Sequence, residues 1–257
     1  MWYLAGIVGA YITYNVISCN YIKVENIKIS KEEPKIKIVQ VSDVHIRKSE
    51  HNRINKIIDK VREINPDVIT ITGDLLDSVI LDDSLEYFCS EIVKIAPVLA
   101  VSGNHEELFP DYEMWKITLK KYGIKILDNE YVEIKGIVFV GVKTEESFDE
   151  KIVKDIENIS SKKIVLLAHK PELFEKYFNK NNHNNPDIVL SGHAHGGQWR
   201  LFNKGLFAPQ QGLFPKYTSG IYKSKECKTV MMVSRGLGHC VIPIRFNNSF
   251  HMPVIEI

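Results

Sequence analysis

His193 and His195 sit one residue apart on the glycine-flanked turn Ser191-Gly192-His193-Ala194-His195-Gly196-Gly197, directly after the apolar run Ile188-Val189-Leu190. Neutral imidazole is the commonest metal-ligating side chain, and two rings on one tight turn can aim at one point. Four other apolar runs end in a similar way. Ile36 to Val41 leads to Asp43 and His45, and Val68 to Thr72 leads to Asp74. Val98 to Val101 leads to Asn104 and His105, and Ile164 to Leu167 leads to His169. The collected donors are oxygen and nitrogen with no thiolate, which suits Mn, Fe or Zn and disfavours a structural zinc. The set is too large for one tetrahedral ion but fits two divalent metal ions with open positions. Two cations ~3.5–4 Å apart can clamp both oxygens of an in-line displacement at phosphorus. One carboxylate must then bridge, and Asp74 is central in chain order.

The elements that position these residues follow from hydrophobic period. Asn52 to Ile64 sets Ile54, Ile57, Ile58, Val61 and Ile64 at helical spacing. Asp82 to Ile95, Tyr112 to Tyr122 and Asp149 to Ile159 also read as helices, and Pro171 opens another. Ile124–Leu127, Tyr131–Ile134 and Ile137–Val142 read as antiparallel strands joined by tight turns. Gln198 to Tyr222 reads as a long loop or hairpin, and Thr229–Val233, Val241–Phe246 and Val254–Ile257 as strands. Alternating strands and helices imply an α/β fold. In such a fold ligands bind at the carboxyl edge of the strands. The five ligand-bearing turns are expected to converge there. Burying so many polar groups without a cation would be costly.

The chain has 257 residues, 44% hydrophobic and 25% charged, enough for one large domain, placed at residues 23–257. A formal net charge of +1 gives no nucleic-acid-binding signature. Cys19, Cys89, Cys227 and Cys240 form no Cys-x-x-Cys pair and read as isolated thiols. His51, His183, His239 and His251 match no motif and read as surface or loop residues.

Residues 1–22 carry no charged side chain and much of the stretch is apolar, the length of a membrane anchor. Tyr3 and Tyr21 would suit the two water–lipid boundaries, while Thr13, Asn15, Ser18 and Asn20 weaken the span. A terminal helix packed on the domain is the alternative. A cleaved lipoprotein signal ending at Cys19 is a third, without the basic start such signals carry. The expected location is a membrane, with its side open.

Asp43-Val44-His45, Gly73-Asp74, Gly103-Asn104-His105-Glu106, His169 and Gly192-His193-Ala194-His195 resemble the five ordered motifs of the calcineurin-like metallophosphoesterase superfamily. Gly196-Gly197-Gln198, Gly212 to Tyr217 and Ser234 to Gly238 resemble its bacterial, often membrane-anchored phosphodiesterase branch. The resemblance implies a four-layer α/β/β/α sandwich of two mixed β-sheets flanked by helices. It implies that Asp43, His45 and His195 hold one metal, that Asn104, His169 and His193 hold the other, and that Asp74 bridges. His105 would contact a phosphoryl oxygen and protonate the leaving group, oriented by Asp77. Protein phosphatases of the superfamily carry Arg where Ser78 stands, so a phosphoprotein substrate is disfavoured. Arg235 or Arg47 would supply the missing cation, and Asn104 would add a substrate contact. The expected reaction is phosphodiester hydrolysis by a hydroxide shared between the ions. A UDP-2,3-diacylglucosamine-type, lipid-linked pyrophosphate substrate is the alternative, and a non-catalytic scaffold of the same fold is a further one.

Overall fold

The computed structural model describes residues 3, 6, 9–11, 13–15, 19–29, 36–77, 83–108, 112–143, 162–177, 185–239 and 244–257. The expected helix Asp149–Ile159, most of the Asn-rich stretch before residue 185, Ser78, His183 and Cys240 lie outside these residues.

Two six-stranded mixed sheets form the frame. The first contains β1 (Ile22–Lys28), β2 (Lys37–Val41), β3 (Val68–Thr72), β4 (Val98–Val101), β5 (Lys125–Ile126) and the last strand, β16 (Phe250–Glu256). Its order is β1-β16-β2-β3-β4-β5, all neighbours parallel except β16 and β2. The second contains β6 (Glu130–Ile134), β7 (Ile137–Gly141), β8 (Lys163–Leu167), β9 (Ile188–Ser191), β14 (Gly220–Lys223) and β15 (Val230–Val233). Its order is β14-β15-β9-β8-β7-β6, with antiparallel pairing only at the two edges. Between β9 and β14 run two short hairpins, β10 (Arg200–Leu201) with β11 (Lys204–Gly205) and β12 (Phe207–Ala208) with β13 (Gly212–Leu213).

Side-chain alternation with period two explains the stacking. In β2, Ile38 joins a core shared by both sheets, while Val39 and Val41 join the core under the helices. Leu99 and Val101 of β4 meet Val165 and Leu167 of β8 in the shared core, whereas Ile164 and Leu166 face the other side of the second sheet. Such strands are apolar on both faces because both faces are covered. Helix α1 (His51–Ile64) buries Ile54, Ile57, Ile58 and Val61 against the first sheet. Helix α2 (Asp83–Ile92) packs Leu85, Phe88, Cys89 and Ile92 into the same core. Two more helices, α3 (Asn104–Leu108) and α4 (Tyr112–Lys121), follow β4. Pro171–Lys176 forms a 3-10 helix with Pro at its start, which buries Phe174 against the second sheet.

The strands after α4 differ from expectation. Only β6 and β7 form an antiparallel hairpin; β5 lies in the first sheet, parallel to β4. The chain changes sheets between Ile126 and Glu130, and periodicity alone cannot mark that crossing. Of the strand expected over Val241–Phe246, the described part contributes only an isolated bridge between Phe246 and Trp199.

Among the described residues no helix is long and apolar enough to cross a membrane. Cys19 is buried, its sulfur accepting from Asn248 N at 3.3 Å and its carbonyl from Phe250 N at 3.1 Å.

Candidate metal centre

Five strand ends meet where the two sheets face each other. β2, β3 and β4 deliver residues from the first sheet, and β8 and β9 deliver them from the second. Gln40 ties the two sheets beneath this point. Its amide donates to Thr72 Oγ1 and to Ser191 O, both at 2.9 Å.

Donor atoms of Asp43, His45, Asp74 and His195 all lie within 4.8 Å of one another, as do those of Asp74, His169 and His193. Asp74 belongs to both groups. In the first, His45 Nε2 is 3.0 Å from His195 Nε2 and 3.8 Å from Asp74 Oδ2. Asp43 Oδ1 is 3.6 Å from His195 Nε2. In the second, His169 Nε2 is 3.3 Å from Asp74 Oδ2, 3.1 Å from His193 Nδ1 and 3.0 Å from Asn104 Oδ1. His169 Nδ1 donates to Thr72 O at 2.8 Å. That bond leaves a lone pair on Nε2 of the neutral ring, facing acceptors on every side. Only a proton or a cation satisfies such an arrangement. Metal–nitrogen bonds of about 2.0–2.1 Å put adjacent ligand atoms roughly 3 Å apart, which is the spacing of these nitrogen pairs. The residues present therefore fit a pair of cations sharing Asp74.

The charge pattern fits as well. Burial opposes ionisation of Asp74, yet facing His169, His45 and His105 outweigh it and hold its carboxyl well below the usual range. Burial also opposes charge on His169, but Asp74 prevails and raises the ring to about 10. Burial lowers His193 to about 3, with His169 adding repulsion, and lowers His195 well below its ordinary value. Those two rings stay neutral, the form that ligates a metal, whereas Asp74 keeps on His169 a proton that a bound cation would displace.

The backbone is bent to reach this geometry. Asp43, His45, Asp74, His193 and His195 all have positive φ, between 45° and 66°. Non-glycine residues adopt that region at a cost of order 1–3 kcal/mol each, and such outliers cluster at functional sites. Close approach explains two glycines. A Cβ at Gly103 would lie 2.1 Å from Asp74 Oδ1, and one at Gly192 would lie 2.3 Å from Asp43 Oδ2.

Several supports escaped the sequence reading because their partners are backbone groups or side chains remote in the chain. Fully buried Glu106 accepts from Asp74 N at 2.9 Å, Leu76 N at 3.0 Å and Gly103 N at 2.8 Å. It pins the Asp74 loop to the start of α3. Arg53 of α1 donates to the carbonyls of Val44, His45 and Leu237. Asn248 donates to His195 O at 2.7 Å and Gln198 O at 3.0 Å. Glu172 Oε1 lies 3.8 Å from buried His193 Nε2. The motif Gly103-Asn104-His105-Glu106 was the only sequence signal for any of these.

His105 sits at the rim, its ring edge-on to His45 with centroids 4.6 Å apart. Its backbone N–H donates to Asp74 Oδ1 at 2.9 Å. Asp77 was expected to orient His105, and their donor atoms do lie within 4.8 Å. Its carboxylate, however, takes Arg47 Nε at 2.8 Å and stands 3.3 Å from His45 Nδ1. His45 and Arg47 together lower its pKa to about 2, against its burial. Asp77 therefore orients His45 at least as directly as His105. Arg235, expected to contact substrate, donates through its guanidinium to Ser249 O, Ser219 Oγ and Ser249 Oγ at 3.2–3.4 Å. Arg200 and Glu25 are its charged neighbours, and its Cγ lies beside Gly196 of the ligand turn, 2.9 Å from where a Cβ there would stand. Arg47, the other candidate phosphate cation, pairs with Asp77 beside His45.

A family model described as calcineurin-like phosphoesterase matches residues 36–197. An uncharacterized metallophosphoesterase of Campylobacter jejuni is 30% identical over 87% of this chain and 59% of its own length. One from Helicobacter pylori is 31% identical over 88% of this chain and 60% of its own. The chain thus spans about three-fifths of the length of these two relatives. A zebrafish (Danio rerio) relative named a transmembrane protein with metallophosphoesterase domain is 29% identical over 82% of this chain and 50% of its own.

Proposed function

The chain belongs to the calcineurin-like phosphoesterase family, and from that premise we propose that it is a phosphoester hydrolase that cleaves phosphodiesters at a centre of two divalent cations. The observation that carries this reading is the sharing of Asp74 between two groups of nitrogen and oxygen donors. Asp43, His45 and His195 would hold one ion, and Asn104, His169 and His193 the other. Bound there, the ions would supply Lewis-acid stabilisation of phosphoryl oxygens and lower the pKa of water toward neutral.

The chain's own groups do the rest. His105, at the rim beside His45, carries a ring N–H that binds a phosphoryl oxygen and passes its proton to the departing alkoxide. Asp77 fixes the His45 ring through Nδ1, so that Nε2 faces the cluster. Arg47, paired with Asp77 at 2.8 Å, offers a single cation suited to the one charge of a diester. Ser78, where related protein phosphatases carry Arg, argues in the same direction. A membrane location belongs to this reading too; the uncharged residues 1–22 and the name of the zebrafish relative support it.

The test is hydrolysis by the purified full chain, with metals quantified. Bis(p-nitrophenyl) phosphate should be turned over faster than p-nitrophenyl phosphate, and a lipid-linked diphosphate is run beside them. Monoester turnover exceeding diester turnover by a large factor would sink the diesterase reading.

A further inference from the structure

The segment between the metal-ligand turn and β14 shows apolar side chains that the fold does not use. Phe202 is 88% exposed, Phe214 77% and Leu213 74%. Trp199, Leu201 and Phe207 are exposed as well. Single exposed apolar residues need no explanation, but a contiguous group does. These residues are joined by one run of short hairpins and backbone bonds. Trp199 bridges to Phe246 and its indole N–H donates to Ile244 O, itself an exposed residue. Leu206 N donates to Trp199 O at 2.9 Å, and Phe214 N donates to Leu206 O at 2.9 Å. Phe207 and Leu213 face each other across β12 and β13.

Two independent observations point to what covers this face. The first is backbone strain. Phe202 has φ 47° and Phe214 φ 52°. Glycine or asparagine adopts that region readily, and a bulky aromatic there is a genuine outlier. Folding gains little burial from either ring to offset that strain. The second is charge. From Gln198 to Lys225 the sequence holds Arg200, Lys204, Lys216, Lys223 and Lys225 and no acidic residue. Lys204 and Lys216, beside the aromatics, are exposed. Exposed aromatics flanked in sequence by exposed lysines suit the headgroup region of an anionic bilayer, where rings sit at the boundary and each cation adds attraction. Continuity adds to this. Tyr11, from the uncharged N-terminal stretch, reaches this face, its ring 6.2 Å from that of Phe246.

We propose that the Trp199–Phe214 hairpin face docks on the surface of an anionic membrane, with Phe202 and Phe214 entering the headgroup layer. The proposal is independent of the reaction. Its geometric consequence is that the centre lies near the bilayer, since Gly196 and Gly197 of the ligand turn accept bonds from Arg200 and Leu206.

The experiment is co-sedimentation of the full chain with vesicles of phosphatidylcholine alone or with about one-third phosphatidylglycerol. Wild type should prefer the anionic vesicles and lose that preference at high salt. F202S/F214S should cut partitioning roughly tenfold or more, with unchanged melting temperature and unchanged turnover of a soluble diester. K204E/K216E should erase the preference for anionic lipid. Should the double serine variant be unstable, F202W with brominated acyl chains replaces it, and quenching of the new indole is expected. Wild-type levels of binding in F202S/F214S, or no quenching in F202W, would overturn the proposal and leave any binding to the N-terminal stretch. Absent vesicle binding, with concentration-dependent association abolished by F202S/F214S, would overturn it in favour of a second copy as the occupant.

Discussion

His105 and His251 show how differently one residue type is used in this chain. His105 stands at the rim of the centre and lies in neither of the two donor groups that share Asp74. His105→Ala should therefore keep its metal content and lose about 10²–10⁴-fold in turnover, the usual worth of a positioned general acid. Metal analysis beside the assay checks this; parallel loss of metal would reassign His105 as a ligand. His251 was expected on the surface and is instead fully buried in β16. Its Nδ1 accepts from Arg235 N at 3.3 Å and its Nε2 faces Glu25 Oε2 at 2.9 Å. Burial is the largest influence and lowers its pKa to about 4, despite Glu25, with Arg235 and Lys23 adding repulsion. Above about pH 6.5 the ring is neutral whether folded or not. Between there and about pH 4 only the unfolded chain takes up the proton, so stability falls across that window, by on the order of 3 kcal/mol from this ring. Urea melts of wild type and His251→Gln should diverge in pH dependence within that window, and parallel curves would contradict it. The ligand residues were legible because each lies in a short local motif. The burial of His251 and the pairing of Asp77 were not, because both depend on residues brought in by the fold.

At the scale of elements, strand ends were legible and sheet membership was not. The runs leading to Asp43, Asp74, Asn104, His169 and His193 could be read from their apolar, β-branched residues. Period-two burial on both faces looks the same in either sheet. Chain order alone therefore could not say that β8 and β9 belong to the second sheet, or that β5 returns to the first. Gln40 and Glu106, which tie these pieces together, read as ordinary polar residues. Glu106 tests the idea that the loops must be held. Glu106→Gln keeps one oxygen and loses acceptance from at least one of the three backbone N–H groups it now binds. Burial, with Asp74 beside it, pushes Glu106 up to about 7, and hydrogen bonds to charged groups are worth about 1.5–3 kcal/mol, so above that pH stability should drop by about that amount. Metal content should fall with it, although Glu106 belongs to neither donor group. Stability loss with full metal retention would show that the loop does not depend on this anchor.

At the scale of the whole molecule, the centre is the seam between two sheets, and its cations would join them. A ligand that binds only the folded chain stabilises it by about 2.7 kcal/mol at a hundredfold excess over Kd. For a chain of this size that corresponds to a rise of roughly 5–10 °C in melting temperature. Chelation should remove it, and excess Mn, Fe or Zn should restore it; an unchanged midpoint would show that the sheets are held without metal. The four-layer plan came from the resemblance of the motifs, and the two stacked mixed sheets agree with it. The helix expected over Asp149–Ile159 lies outside the described residues. The most direct measurement is elemental analysis of purified wild type and Asp74→Ala, with diester turnover assayed on the same samples. Two metals per chain with turnover in wild type, and both lost in Asp74→Ala, is the expected result. One metal or none in an active wild type, or an Asp74→Ala protein that keeps two metals and full turnover, would contradict a centre built on that shared carboxylate.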